Sequence, residues 1–304
     1  MFVWGINIVI IKVLVGHFPP LTMTSTRVFL AGIIVFLILI FQRSLRKIKK
    51  KEWLYLIAAT LLGVTAHHGL LTLGIVQTKA SNASLILGLV PLTTSILAMI
   101  FLHDRFTVWR FTGIIFGLAG VSFVVLQGEG GLGSVALGDV YVFGAMLVQA
   151  ISFIVIKKVT DTLDAKQVTA VMMMLGSILL YSLSLWTEPG GVKQLAEGTL
   201  WLWFLLLFSA LVGTGLGHML YNLAIHQLGP AQTSIFTNLV PFFALLGSFL
   251  FLGESIHLSQ MIGFVFIVAG VFLGTGYLDN RLGMFITHHK SYDQEDEAEH
   301  DSAS

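Results

Sequence analysis

The chain contains no cysteine and very little charge. Without cysteine there are no disulfides, no zinc–thiolate sites and no thiol nucleophile, while the compartment is left open. Asp, Glu, Lys and Arg make up 11% of the 304 residues, against about 25% in an ordinary soluble domain. Chemical motifs are missing as well. No Gly-x-x-x-x-Gly-Lys loop exists, and the glycine-rich stretch at 128–133 lacks the Lys-Ser/Thr that would cradle phosphate, so ATP-driven transport by this chain is unsupported. No histidine pair has His-Glu-x-x-His spacing, and His288-His289 lies in a polar tail, so no metal site and no cofactor is expected. Nothing nominates a Ser-His-Asp site. No basic patch interleaved with aromatics points to nucleic acid; the basic run at 43–51 is accounted for by topology and by anionic lipid.

What is present is apolar surface. Hydrophobic residues make up 56% of the chain, and the mean hydropathy is +0.88. A compact soluble globule exposes too much of itself to hide that fraction; a bilayer can. Apolar stretches long enough for spanning helices fall near 1–15, 20–41, 53–76, 82–102, 107–126, 138–158, 167–187, 200–226, 231–252 and 258–278. They are long and continuous, unlike the short alternating strands of a barrel. Lys and Arg favour the cytoplasmic side of short loops. Placing Arg43, Arg46, Lys47, Lys49, Lys50 and Lys51 inside sends thirteen Lys and Arg inside and leaves only Lys79 and Lys193 outside. Both termini are then cytoplasmic. The N-terminus lacks the basic region and the cleavage site of a signal peptide. The tail at 279–304 turns polar and acidic and is expected to be disordered.

The chain repeats itself at an offset of 150. Leu89-Val90-Pro91 falls on Leu239-Val240-Pro241, Phe101-Leu102 on Phe251-Leu252, Gly113 on Gly263, Ala119-Gly120-Val121 on Ala269-Gly270-Val271, and His68 on His218. Near the start, Ile11-Lys12 corresponds to Ile156-Lys157 at an offset of 145. Each half holds five helices. Five is odd, so the second half enters the membrane from the opposite side, which makes an inverted repeat with its binding site expected near the midplane. The expected fold is an all-α integral membrane protein of ten transmembrane helices, with halves at 1–127 and 136–278. Helix 1 is short: Lys12 has eleven residues before it, whereas Lys157 has some nineteen in helix 6.

Trp4-Gly5 and Lys12, the Pro20-Leu21 entry followed by Arg27, and the doubled run from Leu-Val-Pro to paired glycines resemble the drug/metabolite transporter superfamily. Within it, the likeness is to the EamA-type members with two tandem five-helix repeats, and it covers about 1–278. Asp104 stands where the first copy usually has Glu, and Val171 replaces Arg27 in the second half. The resemblance implies a secondary carrier, commonly an exporter of amino acids, related metabolites or drugs. It does not imply a substrate.

Polar groups inside a membrane usually face the bundle interior. In helix 8, Thr214, His218, Tyr221 and Asn222 share one helical face, and Thr65, His68 and Thr72 form the matching stripe in helix 3. Imidazole titrates near neutrality, which suits either proton coupling or recognition of a substrate carboxylate; a structural histidine between helices is the alternative. His67 points about 100° away from His68 and is set aside. Ser234, Thr237, Asn238 and Pro241 line helix 9, and Ser84, Gly88, Pro91 and Ser95 line helix 4. Pro91 and Pro241 are candidate hinges or static kinks. Helix 1 offers Trp4, as cavity wall or interfacial anchor, and Asn7; Gln149 and Ser152 stand opposite. Arg27 would either snorkel to the outer surface or attract an anionic substrate. Lys12 and Lys157 are expected to snorkel, and Asp104 and Glu254 to cap helices 5 and 10. Gly113, Gly117 and Gly120, with Gly263, Gly270 and Gly274, read as close packing between scaffold helices or at a dimer surface.

The sequence therefore leads to a multi-pass transporter of the cell membrane that moves small metabolites by alternating access. Its expected partners are a small-molecule substrate, the lipid bilayer and, in one version, a coupled proton. A membrane sensor or assembly partner is the alternative, and an intramembrane enzyme a third reading with no nucleophile to support it. Oligomeric state is open.

Overall fold

The computed structural model describes residues 1–102, 107–126 and 136–274. Those residues are helical and contain no strand. The helices are α1 (Phe2–Val15), α2 (Pro20–Phe41), α3 (Lys50–Gln77) and α4 (Ala80–Leu87, then Val90–Leu102 after a turn). They continue with α5 (Val108–Leu126), α6 (Leu137–Thr160), α7 (Ala165–Thr187) and α8 (Leu200–Leu228). The last are α9 (Pro230–Ile235, a 3₁₀ turn at Phe236–Asn238, then Leu239–Leu252) and α10 (Leu258–Gly274). A short helix, Gly191–Ala196, precedes α8. Among the described residues, six helices are long and apolar enough to cross a membrane: α2, α3, α4, α6, α7 and α8. The 14 residues of α1 reach only about 21 Å at 1.5 Å per residue, short of a hydrocarbon core.

Polarity is distributed inside out. Leu54, Phe204, Leu220, Phe249, Phe251 and Val265 are exposed, while Thr24, Arg27, His68, Thr72, Gln149 and Asn222 are buried. Such an apolar outer surface needs lipid. Hydroxyls that must sit inside are returned to their own helices: Ser84 donates to the Ser81 carbonyl, Ser234 to Ala231 and Thr237 to Ser234.

Helix ends sort onto two faces. On one face, the Glu188 carboxylate at the end of α7 accepts from the Leu21 and Thr22 amides and the Thr22 hydroxyl, all at 2.8 Å, and so caps α2. Glu254, just after α9, accepts from the Ala80 and Ser81 amides at 2.9 and 3.1 Å and caps α4. The expected cap of α10 by Glu254 is thereby corrected: the carboxylate reaches across to another helix because Gly253, left-handed at φ +66, turns the chain back after α9. Asp104 lies outside the described residues. Lys12 does not snorkel. Half-buried, it donates to the carbonyls of Ile75 and Thr78 at 2.8 and 2.6 Å, tying α1 to the end of α3.

The loop after α2 docks on the loop after α6 at the other face. Gln167 donates to the Arg46 carbonyl at 2.7 Å, and Arg46 donates to Glu52 and to the Thr162 carbonyl. Lys157, the counterpart of Lys12, donates to the His226 carbonyl at the end of α8. Packing partners exchange between the halves in the same sense: α2 packs on α7 and α5 on α10, while α1 packs on α9 as α6 packs on α4. At the α5–α10 contact, a Cβ on Gly113 would stand 2.5 Å from the Gly270 carbonyl, and one on Gly120 2.7 Å from the Gly263 carbonyl. The stripes of small residues therefore face each other.

Candidate functional site

Both α3 and α8 contain a π-helical stretch, Leu61–Ala66 and Ser209–Leu216. These fall on each other at the repeat offset. A π turn adds a residue to the helix and re-aims the side chains beyond it, and the histidines stand just there, at His67, His68 and His218. Each stretch also carries a glycine that admits a neighbour. A Cβ on Gly63 would meet the Ser152 hydroxyl at 2.6 Å, and one on Gly213 would meet Asn7 Cγ at 2.8 Å.

Between the halves lies a cavity of about 100 Å³, room for several water molecules. Its polar lining is Trp4, Asn7, Arg27, His67, His68, Gln149, His218 and Thr237; its apolar lining includes Phe153, Leu87, Val90 and Val240. The lining repeats. His68 and His218, Leu87 and Thr237, and Val90 and Val240 are pairs at an offset of 150; Trp4 and Gln149, and Ile8 and Phe153, are pairs at 145.

The rings form a continuous train. Trp4 packs on His218 and Tyr221 with centroids 5.1 and 4.9 Å apart; His68 and His218 stand 5.4 Å apart, and His67 and His68 4.9 Å. Trp4 Nε1 donates to the Gly213 carbonyl at 2.8 Å, a carbonyl within the π stretch. That holds Trp4 inside the bundle, as cavity wall and not as interfacial anchor. Arg27, 1% exposed, does not snorkel either. Its Nη1 donates to the Thr214 hydroxyl at 2.7 Å, and its Nη2 stands 3.4 Å from His68 Nδ1. The His218 Nδ1–Thr214 carbonyl contact is 3.0 Å, and the His67 Nδ1–Ala145 carbonyl contact is also 3.0 Å.

Other expected residues sit outside this cavity. Thr72 bonds the Thr24 hydroxyl at 2.8 Å, Thr214 serves Arg27, and Thr65 and Asn238 each keep a buried oxygen without a partner. Tyr221 borders a different, outer groove with Trp4, and Asn222, bonded to Thr169 at 2.9 Å, borders a smaller void beside His218 and Gln149. On α9 it is Thr237, not Asn238, that faces the cavity, because the 3₁₀ turn at Phe236–Asn238 breaks the α-helical stripe. His67, set aside from the sequence, lines the cavity beside His68. Phe153, Leu87 and Val240 could not be picked out by polarity, although the offset joining Val90 to Val240 marks that pair. Each proline follows an interruption of its α-helix, the turn at Gly88–Leu89 before Pro91 and the 3₁₀ turn before Pro241. A Cβ on Gly88 would stand 3.2 Å from Pro241 Cγ.

Comparison with known proteins agrees with this architecture. A model of the EamA-like transporter family matches twice, at residues 1–126 and 136–275. The uncharacterized transporter YyaM of Bacillus subtilis is 30% identical over 272 residues, 88% of each chain. An uncharacterized transporter of Archaeoglobus fulgidus is 26% identical over 89% of this chain and 94% of its own length. A solved structure described only as the crystal structure of a protein superposes with a TM-score of 0.68 at 15% identity, over 92% of this chain and 97% of that one, and so shares its fold. This chain is a multi-pass membrane protein and belongs to the EamA-like transporter family.

Proposed function

We propose that the chain is a secondary transporter of small metabolites that works by alternating access, as an exporter in the cell membrane with both termini cytoplasmic. Its ten helices cross as two inverted five-helix halves, 1–127 and 136–278. One observation carries this reading: the cavity between the halves is lined by repeat-equivalent pairs. A cavity built from the same positions of two inverted halves can open to either side by the same motion, which is the requirement of a carrier. The antiparallel pairing of α2 with α7 and the reciprocal glycine contacts of α5 and α10 support the inversion. A membrane sensor or assembly partner has no need of such a cavity.

His68 and His218, adjacent in the cavity, are the candidates for a coupled proton. The test is a flux screen of small metabolites in proteoliposomes, with and without a pH gradient. Saturable flux of at least one solute, abolished by Trp4→Ala, is the expected result. A well-folded protein that moves none of a broad panel in either direction contradicts the proposal.

A further inference from the structure

The cavity lining carries buried hydrogen-bonding groups that no side chain or backbone group satisfies. Arg27 is buried, and no acidic side chain pairs with it among the described residues. Its hydrogen-bond partners, Thr214 and His68, are both neutral acceptors, and its Nε has no partner at all. A guanidinium stays protonated and can only donate. His68 Nδ1, facing Arg27 Nη2, must therefore accept. A neutral imidazole that accepts at Nδ1 carries its proton on Nε2, and His68 Nε2 is likewise buried without a partner. Two donors on cavity-lining residues thus stand unfilled, as do two acceptors, Asn7 Oδ1 and Gln149 Oε1. One of the donors belongs to a full positive charge inside a bilayer, where an isolated charge is among the least tolerated groups. Three imidazoles and this guanidinium line the cavity, and no carboxylate does.

We infer that the cavity is shaped for a solute bearing a single carboxylate, whose oxygens accept from Arg27 Nε–H and His68 Nε2–H. The inference rests on the transport reading above, because it takes the cavity to be the carrier's binding site. Nε and the adjoining Nη2 form the edge on which a carboxylate binds side-on with two parallel hydrogen bonds. The charge count selects among oxyanions. One guanidinium against one carboxylate leaves a neutral pair to move through the membrane, whereas a phosphomonoester dianion leaves one charge uncompensated in low dielectric. In the same lining, Trp4, Phe153 and Val90 supply a surface for an apolar body.

The test measures equilibrium binding to the full chain in lipid nanodiscs, using compounds matched in everything but charge: phenylacetate, phenylacetamide, phenethylamine and phenyl phosphate. The carboxylate is expected to bind at least about thirty-fold more tightly than the amide, the smaller end of what a buried, hydrogen-bonded charge pair contributes. The amine and, at pH 8, the phosphate dianion are expected to bind no better than the amide. In Arg27→Gln the preference should fall to within a few-fold while amide binding persists, which also reports that the variant is folded. The comparison in the unmodified protein stands even if that variant does not fold. Lack of a carboxylate preference there, including lack of binding, overturns the inference. Preference for the amine or the phosphate, lost in Trp4→Ala, overturns it while leaving the cavity as the transport site. Absence of flux for every solute in the proteoliposome screen contradicts the transport reading itself.

Discussion

His218 shows how a single side chain can be both held and free. Its Nδ1–H donates to the Thr214 carbonyl one turn back, which leaves Nε2 as an acceptor on this cavity-lining residue. Removing the ring forfeits one net hydrogen bond, about 0.5–1.5 kcal/mol, and the contact with Trp4. His218→Ala should therefore insert and purify nearly as well as the parent chain while transporting poorly, a contrast read by scoring flux beside monodisperse yield. If the ring carries the coupled proton, His218→Gln should keep transport but lose its dependence on a pH gradient, since the amide hydrogen-bonds without titrating. Unchanged pH dependence in His218→Gln would remove the proton from this residue and leave its place in the cavity wall. At this scale a mate at the repeat offset marked His68, His218, Trp4 and Gln149, which line the cavity, but it also marked Thr72 and Asn222, which do not. The sequence misled where helix geometry was irregular. Of the helix 9 stripe only Thr237, and not Asn238, lines the cavity at the 3₁₀ turn, and depth alone could not separate a snorkelling Arg27 from a buried one.

Among the elements, the π stretches in α3 and α8 have no signature in composition beyond their glycines, yet they set where the histidines point. The α5–α10 pair was more readable, because six glycines at helical spacing have few uses other than close approach. The structure ranks them. A side chain at Gly270 meets the backbone of Gly113 and Gly117, at 2.7 Å from a carbonyl and 2.6 Å from an amide nitrogen, whereas one at Gly117 meets first the flexible end of Leu92. Overpacking costs about 1–3 kcal/mol. Gly270→Leu should lower folded yield and thermal stability more than Gly117→Leu does. Gly144→Ala, whose new methyl would lie 3.5 Å from Leu70, should be neutral or mildly stabilising. Equal stability of Gly270→Leu and the parent protein would show that this contact is not close.

The whole molecule is organised by where its helix ends meet. Glu188, Glu254 and Lys12 tie one face together, and Arg46, Gln167 and Lys157 the other. The count of basic residues in loops leads us to expect the second face at the cytoplasmic side. Reporter fusions after Lys51 and Lys166 should then read cytoplasmic, and one after Lys193 external; a mismatch between the first two would break the alternation of crossings. The orientation rests on charge asymmetry in the sequence, and the offset of 150 there anticipated which helices pack on each other. The cross-helix caps were not visible, because a glutamate at a loop carries no mark of which helix it will reach.

The absence of native cysteine allows the central claim to be tested on a clean background. Leu87→Cys and Thr237→Cys place single thiols at equivalent positions in the cavity wall. In sealed vesicles of known orientation, a membrane-impermeant maleimide would be applied from each side, with a transported solute loaded first on one side and then on the other. Alternating access predicts that both thiols are labelled from either side, in proportions that reverse with the solute gradient. Labelling confined to one side under both gradients would contradict it.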